Sequence, residues 1–388
     1  MRVGIDYLPA LSDLQGRGRY VRELVRAMGE LRFGANLGLF GYGGEPVRVP
    51  RPELGLGENP AQMVRLRFPR RWTPWLLERL SKGVDDLVGG CEIYHHTRPE
   101  ALHVRSAVQL VTIGDCIDGL DRGEPEDAGY APADQAGSRH AAWKTLIDRA
   151  ERILVPSEYV GAEVVMSFGI NPGRVMVTAP GCDHIVRTLP PGGYPPAPDP
   201  FLLTVGPITA RRNHLRMLQA FELLCKDGYP HHWIIVGRNG FGARDFQRAL
   251  ARSPVRARVE LRPHVSEVEL TRLYSQADIL LWVSLNEGFG LPPLEAMACG
   301  TPVVTSHVTA MPEVCAEAAF LVEPTDPERI FEATRRLLQE EDIRSSFVER
   351  GRARAREFTW RECAKSTLLA YQAALASTGD EPRMQGLF

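Results

Sequence analysis

Six of the eleven residues from Pro190 to Pro200 are proline. A segment so dense in residues that fix φ and lack an N–H can be neither helix nor central strand, so it reads as a semi-rigid linker between two halves. Short apolar runs alternate with amphipathic stretches on both sides of it. Before it, strands are expected at Arg2–Asp6, Glu92–His95, Ala107–Ile113, Arg152–Val155 and Val175–Thr178. A glycine-rich turn (Gly16, Gly18) follows the first strand and leads into a helical pattern over Arg19–Leu31, with Tyr20, Leu24 and Met28 on one face. After the prolines the alternation restarts at Phe201–Val205, Trp233–Val236, Val259–Arg262, Asp278–Val283, Pro302–Thr305 and Phe320–Val322. Strands separated by helices imply an α/β chain with mainly parallel sheets. A length of 388 residues suits two cores rather than one. The expected division is residues 1–190, residues 201–360, and a final stretch, 361–388, whose helix packs back on the first domain. Open α/β sheets bind ligands at the carboxyl ends of their strands, which puts the expected site in a cleft where the two domains face each other.

Composition removes several alternatives. The net charge of -2 provides no basic field for nucleic acid. The seven cysteines form no Cys-x-x-Cys pair, which argues against a zinc cage or a disulfide framework and suits a reducing cytoplasm. The start, MRVGIDYLPA, lacks the apolar core of a signal peptide, and no apolar run is long enough to span a bilayer. Between Arg65 and Arg79, arginines mix with Trp72 and Trp75. Such a patch suits weak peripheral contact with the inner face of a membrane. Pro69 and Pro74 interrupt any long helix there, which favours an ordinary short helix with its apolar face inward.

The most informative stretch is Ser284–Ser306, SLNEGFGLPPLEAMACGTPVVTS. An apolar strand runs into a turn holding Gly288 and Gly290. Pro292 and Pro293 suit the first helical positions, and Gly300 suits the helix stop. A strand, a glycine turn and a helix N-terminus form an anion site, where backbone amides and the helix dipole face a phosphate. Two carboxylates bracket it, Glu287 in the turn and Glu295 in the first helical turn. Carboxylates accept hydrogen bonds from hydroxyls, so the whole suits a ribose, a diphosphate and a hexose.

This block resembles the Glu-x7-Glu signature of glycosyltransferase family 4. Val205-Gly206 followed by Arg211-Arg212-Asn213-His214, Leu218 and Ala220-Phe221 is similar to that family's phosphate turn. Leu270, Leu273-Tyr274 and Ala277-Asp278 resemble its helix before the last long strand. Val155-Pro-Ser-Glu158, Ala179-Pro-Gly-Cys-Asp183 and Phe358-Thr-Trp360 match further points along the chain. The resemblance implies the GT-B fold, with two Rossmann-like domains facing across a cleft. It further implies retaining transfer of a hexose from a UDP- or GDP-linked sugar to a saccharide, lipid-linked or small hydroxyl acceptor. No metal and no further cofactor are expected.

Residue by residue, the resemblance implies that Glu287 holds donor-sugar hydroxyls and Glu295 the ribose. Phe289, Gly290 and Leu291 offer backbone amides to sugar and phosphate. Arg211 and Arg212 neutralise the diphosphate beside Gly206, and Gly16 and Gly18 let the first domain approach phosphate and acceptor. The chain departs from the pattern at three places. Pro207 stands where an arginine is usual, Val283 where a proline is usual, and Gly114 where a His-Asp pair supplies its histidine. Asp115 keeps the second member of that pair, and His95 and His96 end a neighbouring strand on the acceptor or sugar side. The missing histidine also leaves room for a second reading, a non-catalytic nucleotide-sugar-binding homologue. A third, an epimerase on the same fold, is opposed by the two glutamates.

Overall fold

The computed structural model describes residues 1–12, 16–43, 56, 60–68, 72–79, 81–114 and 133–379. Two compact units emerge. One holds the described residues up to Gly114, Gly137–Gly181 and those from Trp360 on; the other holds Cys182–Thr359. The proline-rich stretch thus lies inside the second unit rather than between the two.

The first unit carries seven parallel strands: β1 (Val3–Asp6), β2 (Leu37–Tyr42), β3 (Gln62–Leu66), β4 (Ile93–His96), β5 (Val108–Thr112), β6 (Arg152–Val155) and β7 (Val175–Val177). They lie in the order β3-β2-β1-β4-β5-β6-β7. Two of them, β2 and β3, were not expected from the sequence. In β2 the two glycines make room for close packing: a Cβ on Gly38 would fall 2.7 Å from Val88 Cβ, and one on Gly41 2.6 Å from Leu11 Cδ1. The helix Trp360–Ser377 closes this unit's core, burying Trp360, Leu368, Tyr371 and Leu375 among Tyr20, Val21, Leu24 and Met28 of the helix Arg17–Glu30. The Tyr20 and Trp360 rings lie 6.1 Å apart.

The second unit carries six parallel strands: β8 (Phe201–Val205), β9 (His232–Val236), β10 (Val259–Arg262), β11 (Ile279–Trp282), β12 (Val303–Ser306) and β13 (Phe320–Val322). Their order is β10-β9-β8-β11-β12-β13. Both sheets therefore reverse direction beside their first strand, between β1 and β4 and between β8 and β11. In a parallel sheet this reversal parts the loops at the carboxyl ends and opens a crevice there.

Thr73 and Leu77 of the helix Thr73–Arg79 point inward, but Trp72 and Trp75 are 48% and 51% exposed. The two indoles meet edge to face, and the Arg79 guanidinium lies 5.7 Å from the Trp75 ring centre. The expectation of an inward apolar face holds for Leu77 and fails for both tryptophans. Pro69 lies outside the described residues. Among the described residues no helix is long and apolar enough to cross a membrane.

Candidate functional site

The second unit's crevice gathers the residues singled out in the sequence. After β8 the chain turns through Gly206, at φ +133°, and a short helical turn, Ala210–Arg212. Asn213 then takes a left-handed conformation, and its side-chain amide donates to the carbonyls of Val283 (3.0 Å) and Pro324 (2.7 Å). These bonds tie the β8 turn to the end of β11. Leu285 N–H donates to Arg211 O at 2.8 Å, and Arg211 Nη1 to Asn286 O at 3.0 Å.

Arg211, Arg212 and Glu287 meet here. Arg211 Nη1 lies 3.1 Å and Arg212 Nη1 2.8 Å from Glu287 Oε1. Arg212 also stacks over the Trp282 ring at 4.5 Å. Glu287 is buried, and these two guanidiniums are its ion-pair partners. The arrangement is one carboxylate shared by two forks, with a flat aromatic wall behind. A dianionic group entering the crevice would find two cations already desolvated and aimed by the protein.

The helix Leu291–Cys299 begins after Gly290, at φ +89°, and ends at Gly300, at φ +87°. A Cβ on Gly290 would meet Met311 Cε at 2.5 Å, and its φ of +89° strains any L side chain placed there. Pro292 and Pro293 carry no N–H, which leaves Leu291 as the one donor among the first three helical positions. The helix thus has few free amides at its N-terminus. Phe289 is buried edge-on to Phe358, ring centres 5.6 Å apart.

Glu295 does not lie in the first helical turn as expected. It is the fifth residue of the helix and is buried. Its Oε1 lies 3.0 Å from His184 Nε2, and its Oε2 accepts from Tyr274 Oη at 2.7 Å. Burial first, and the nearby Glu295 charge second, push the Cys299 thiol up to about 12, which keeps it protonated and unreactive.

The first unit's expected residues fare differently. Gly16 caps the helix Arg17–Glu30 in an exposed turn at φ +55°, whereas Gly18 is buried inside that helix. Gly114 is exposed, and among the described residues nothing lies within 4 Å of a Cβ built on it. Asp115 lies outside the described residues. His95 and His96, expected at an open strand end, are buried. His95 Nδ1 lies 2.8 Å from Tyr371 Oη and its Nε2 2.6 Å from Thr112 Oγ1, while His96 Nε2 lies 3.1 Å from Gln109 Oε1. Burial pulls the two imidazoles down to about 3 and about 4. Both stay neutral near pH 7, and swinging His95 into the space beside Gly114 would break two buried hydrogen bonds.

Three neighbours of these residues were given no place of their own in the sequence reading, although His214 was quoted within the turn. His214 opens the helix His214–Lys226 beside the arginines, its imidazole pulled down to about 3 by burial and then by Arg212. His184 is adjacent to Glu295 only in space. Gly237 follows β9, and a Cβ there would lie 1.9 Å from Gly206 O, so the phosphate turn rests directly on this glycine. For Gly237 there was a signal: a glycine directly after a buried strand marks a close backbone approach.

Residues 193–354 match the family described as glycosyl transferases group 1. O-antigen chain mannosyltransferase B of Escherichia coli is 28% identical, over 94% of this chain and 97% of its own length. A D-inositol 3-phosphate glycosyltransferase of Kineococcus radiotolerans is 30% identical over 67% of this chain and 64% of its own. Among solved structures, sucrose-phosphate synthase from Thermosynechococcus elongatus aligns at a TM-score of 0.74 and 18% identity, covering 97% of this chain and all (100%) of that one. HepE of Anabaena, solved in complex with UDP-glucose, aligns at 0.71 and 12%, covering 96% and 99%. The fold is GT-B, two Rossmann-like units in one chain.

Proposed function

We propose that this chain, whose residues 193–354 match the family described as glycosyl transferases group 1, is a retaining hexosyltransferase that uses a nucleotide diphosphate sugar and a hydroxyl acceptor. The observation that carries this reading is the meeting of Arg211, Arg212 and Glu287 at the carboxyl ends of β8 and β11. In the reaction the bond from the anomeric carbon to the diphosphate oxygen breaks and a bond from the acceptor oxygen forms on the same face. The acceptor proton passes to the departing diphosphate. Arg211 and Arg212 stabilise the charge that grows on the leaving group, Glu287 receives sugar hydroxyls and Glu295 the ribose. The guanidiniums supply the charge that a divalent ion supplies in other transferases. The relative matched over nearly its whole length is a mannosyltransferase, so GDP- and UDP-mannose lead the donor panel, with UDP-glucose beside them.

The test assays two variants in EDTA. Glu295→Ala is expected to weaken binding of the bare nucleoside diphosphate by about 1.5–3 kcal/mol, the scale of a charge-assisted hydrogen bond. Glu287→Ala is expected to lower kcat while calorimetry finds nucleoside diphosphate affinity nearly unchanged. Equal affinity losses would refute the division of roles, and activity restored only by manganese would refute the metal-free reading. Failure of the wild type to transfer or hydrolyse any donor would favour the non-catalytic alternative.

Gly114 sets a second expectation. Gly114 is exposed, so Gly114→His is expected to change unfolding free energy by less than about 0.5 kcal/mol. A site without a hydrogen-bonding ring discriminates weakly against donors lacking a hydroxyl. The wild type is therefore expected to accept 6-deoxy hexose donors beside the parent sugars, and Gly114→His to regain preference for the hydroxylated forms. A donor panel on both proteins decides this; a wild type that rejects every 6-deoxy donor contradicts it.

A further inference from the structure

The sequence presents Glu295 as one of two carboxylates bracketing a glycine turn; in the structure it is the centre of a buried polar junction. His184 Nε2 lies 3.0 Å from one carboxylate oxygen, and the Tyr274 hydroxyl donates to the other at 2.7 Å. All three side chains are buried. Each comes from a different piece of the second unit: His184 from the turn before Ile185–Thr188, Tyr274 from the helix Glu267–Gln276, Glu295 from the helix Leu291–Cys299.

These pieces are fastened to one another independently of Glu295. Thr188 Oγ1 lies 2.5 Å from Thr271 Oγ1, and Thr271 Oγ1 lies 3.3 Å from Ile185 O. Thr301, just past the end of the glutamate's helix, donates its hydroxyl to Tyr274 O. His184 and Tyr274 are thus held by contacts of their own, and they reach Glu295 from a fixed frame.

A glutamate has three side-chain torsions, and a ligand that must order them loses affinity. Two bonds from a rigid frame fix the carboxylate plane before any ligand arrives. We propose that His184 and Tyr274 are positioning residues for nucleotide recognition, which hold the Glu295 carboxylate in the orientation that accepts ribose hydroxyls. This rests on the reading that Glu295 receives the ribose. Neither residue contacts the reacting atoms, so their effect falls on nucleotide affinity and ribose selectivity, with the chemical step untouched.

The experiment measures calorimetric Kd values for a bare nucleoside diphosphate and for its 2′-deoxy form. The proteins are the full chain as wild type, Glu295→Gln, His184→Ala, His184→Gln and Tyr274→Phe, with thermal unfolding run on each. Tyr274→Phe keeps the buried ring and deletes one oxygen, which preserves the packing. Wild type is expected to prefer the ribose form by roughly tenfold or more, the scale of a hydrogen bond to a charged group. His184→Ala and Tyr274→Phe are expected to lose about two- to tenfold in affinity for the ribose form alone. His184→Gln, which keeps a donor at the right reach, is expected to recover it. Equal losses for both nucleotide forms would make the two residues merely structural and overturn the proposal. Loss of ribose preference in Glu295→Gln, with preference kept in His184→Ala and Tyr274→Phe, would overturn the proposal and leave the role of Glu295 standing. Ribose preference kept in Glu295→Gln would remove that role, and the proposal with it.

Discussion

Arg212→Ala is expected to lower kcat/KM for the sugar nucleotide by about 10²–10³-fold, the range found when one preorganised donor to a developing oxyanion is removed. The guanidinium is largely buried, lies 2.8 Å from Glu287 and stacks 4.5 Å over Trp282, so it is both desolvated and fixed in plane. A charge held this way acts on a leaving diphosphate without the reorganisation that water requires. The neighbouring helix cannot replace it, because Pro292 and Pro293 remove two of its first three amides. The substitution also leaves Glu287 paired with Arg211, so part of the loss belongs to a displaced carboxylate. Arg212→Lys should recover only a fraction, since an ammonium provides neither the fork nor the flat face. Steady-state kinetics on the three proteins check this. Activity within tenfold of wild type in Arg212→Ala would move the leaving-group role to Arg211.

Gly237→Ala is expected to damage the same site from behind. The added methyl would lie 1.9 Å from Gly206 O and 2.5 Å from its carbonyl carbon, both backbone atoms that no rotamer change can clear. Gly206 is itself tied to the sheet by its N–H to Val236 O at 2.8 Å. Relief requires moving the turn that leads to Arg211 and Arg212. Overpacking of this kind costs about 1–3 kcal/mol of stability. A displacement near 1 Å at a catalytic group costs on the order of 10²-fold in rate. Activity measured well below the unfolding transition separates the two effects. A folded Gly237→Ala protein with ordinary turnover would show that the turn's position does not matter.

Much of this architecture was legible because buried parallel strands announce themselves as short apolar runs, and eleven of the described strands were expected within a residue or two. The two that were not have clear physical reasons. The stretch Leu37–Tyr42 carries two glycines that read as turn residues but serve close packing. The stretch Gln62–Leu66 lies at the sheet edge, where polar residues mask the pattern. The donor block was legible because its strand, turn and helix are contiguous. The partners of its acids were not. Arg211 and Glu287 are 76 positions apart by their numbers, and His184 and Glu295 are separated by 111. Such pairs are created by strand order, which local periodicity does not encode. The burial of His95 had the same cause, since the tyrosine that holds it arrives on the last helix.

That last helix has a consequence for how the chain is made. Translation delivers the strands of the first unit early, yet Trp360, Leu368 and Tyr371, which complete their core, emerge only after residues 182–359. The second unit's six-stranded sheet is contiguous in the chain and can close while the first still exposes the face of Tyr20, Leu24 and Met28. The order of synthesis is thus the reverse of the order of completion. For most of its time on the ribosome the nascent chain carries an apolar surface whose natural cover has not yet been made, and that surface is the one a chaperone would meet.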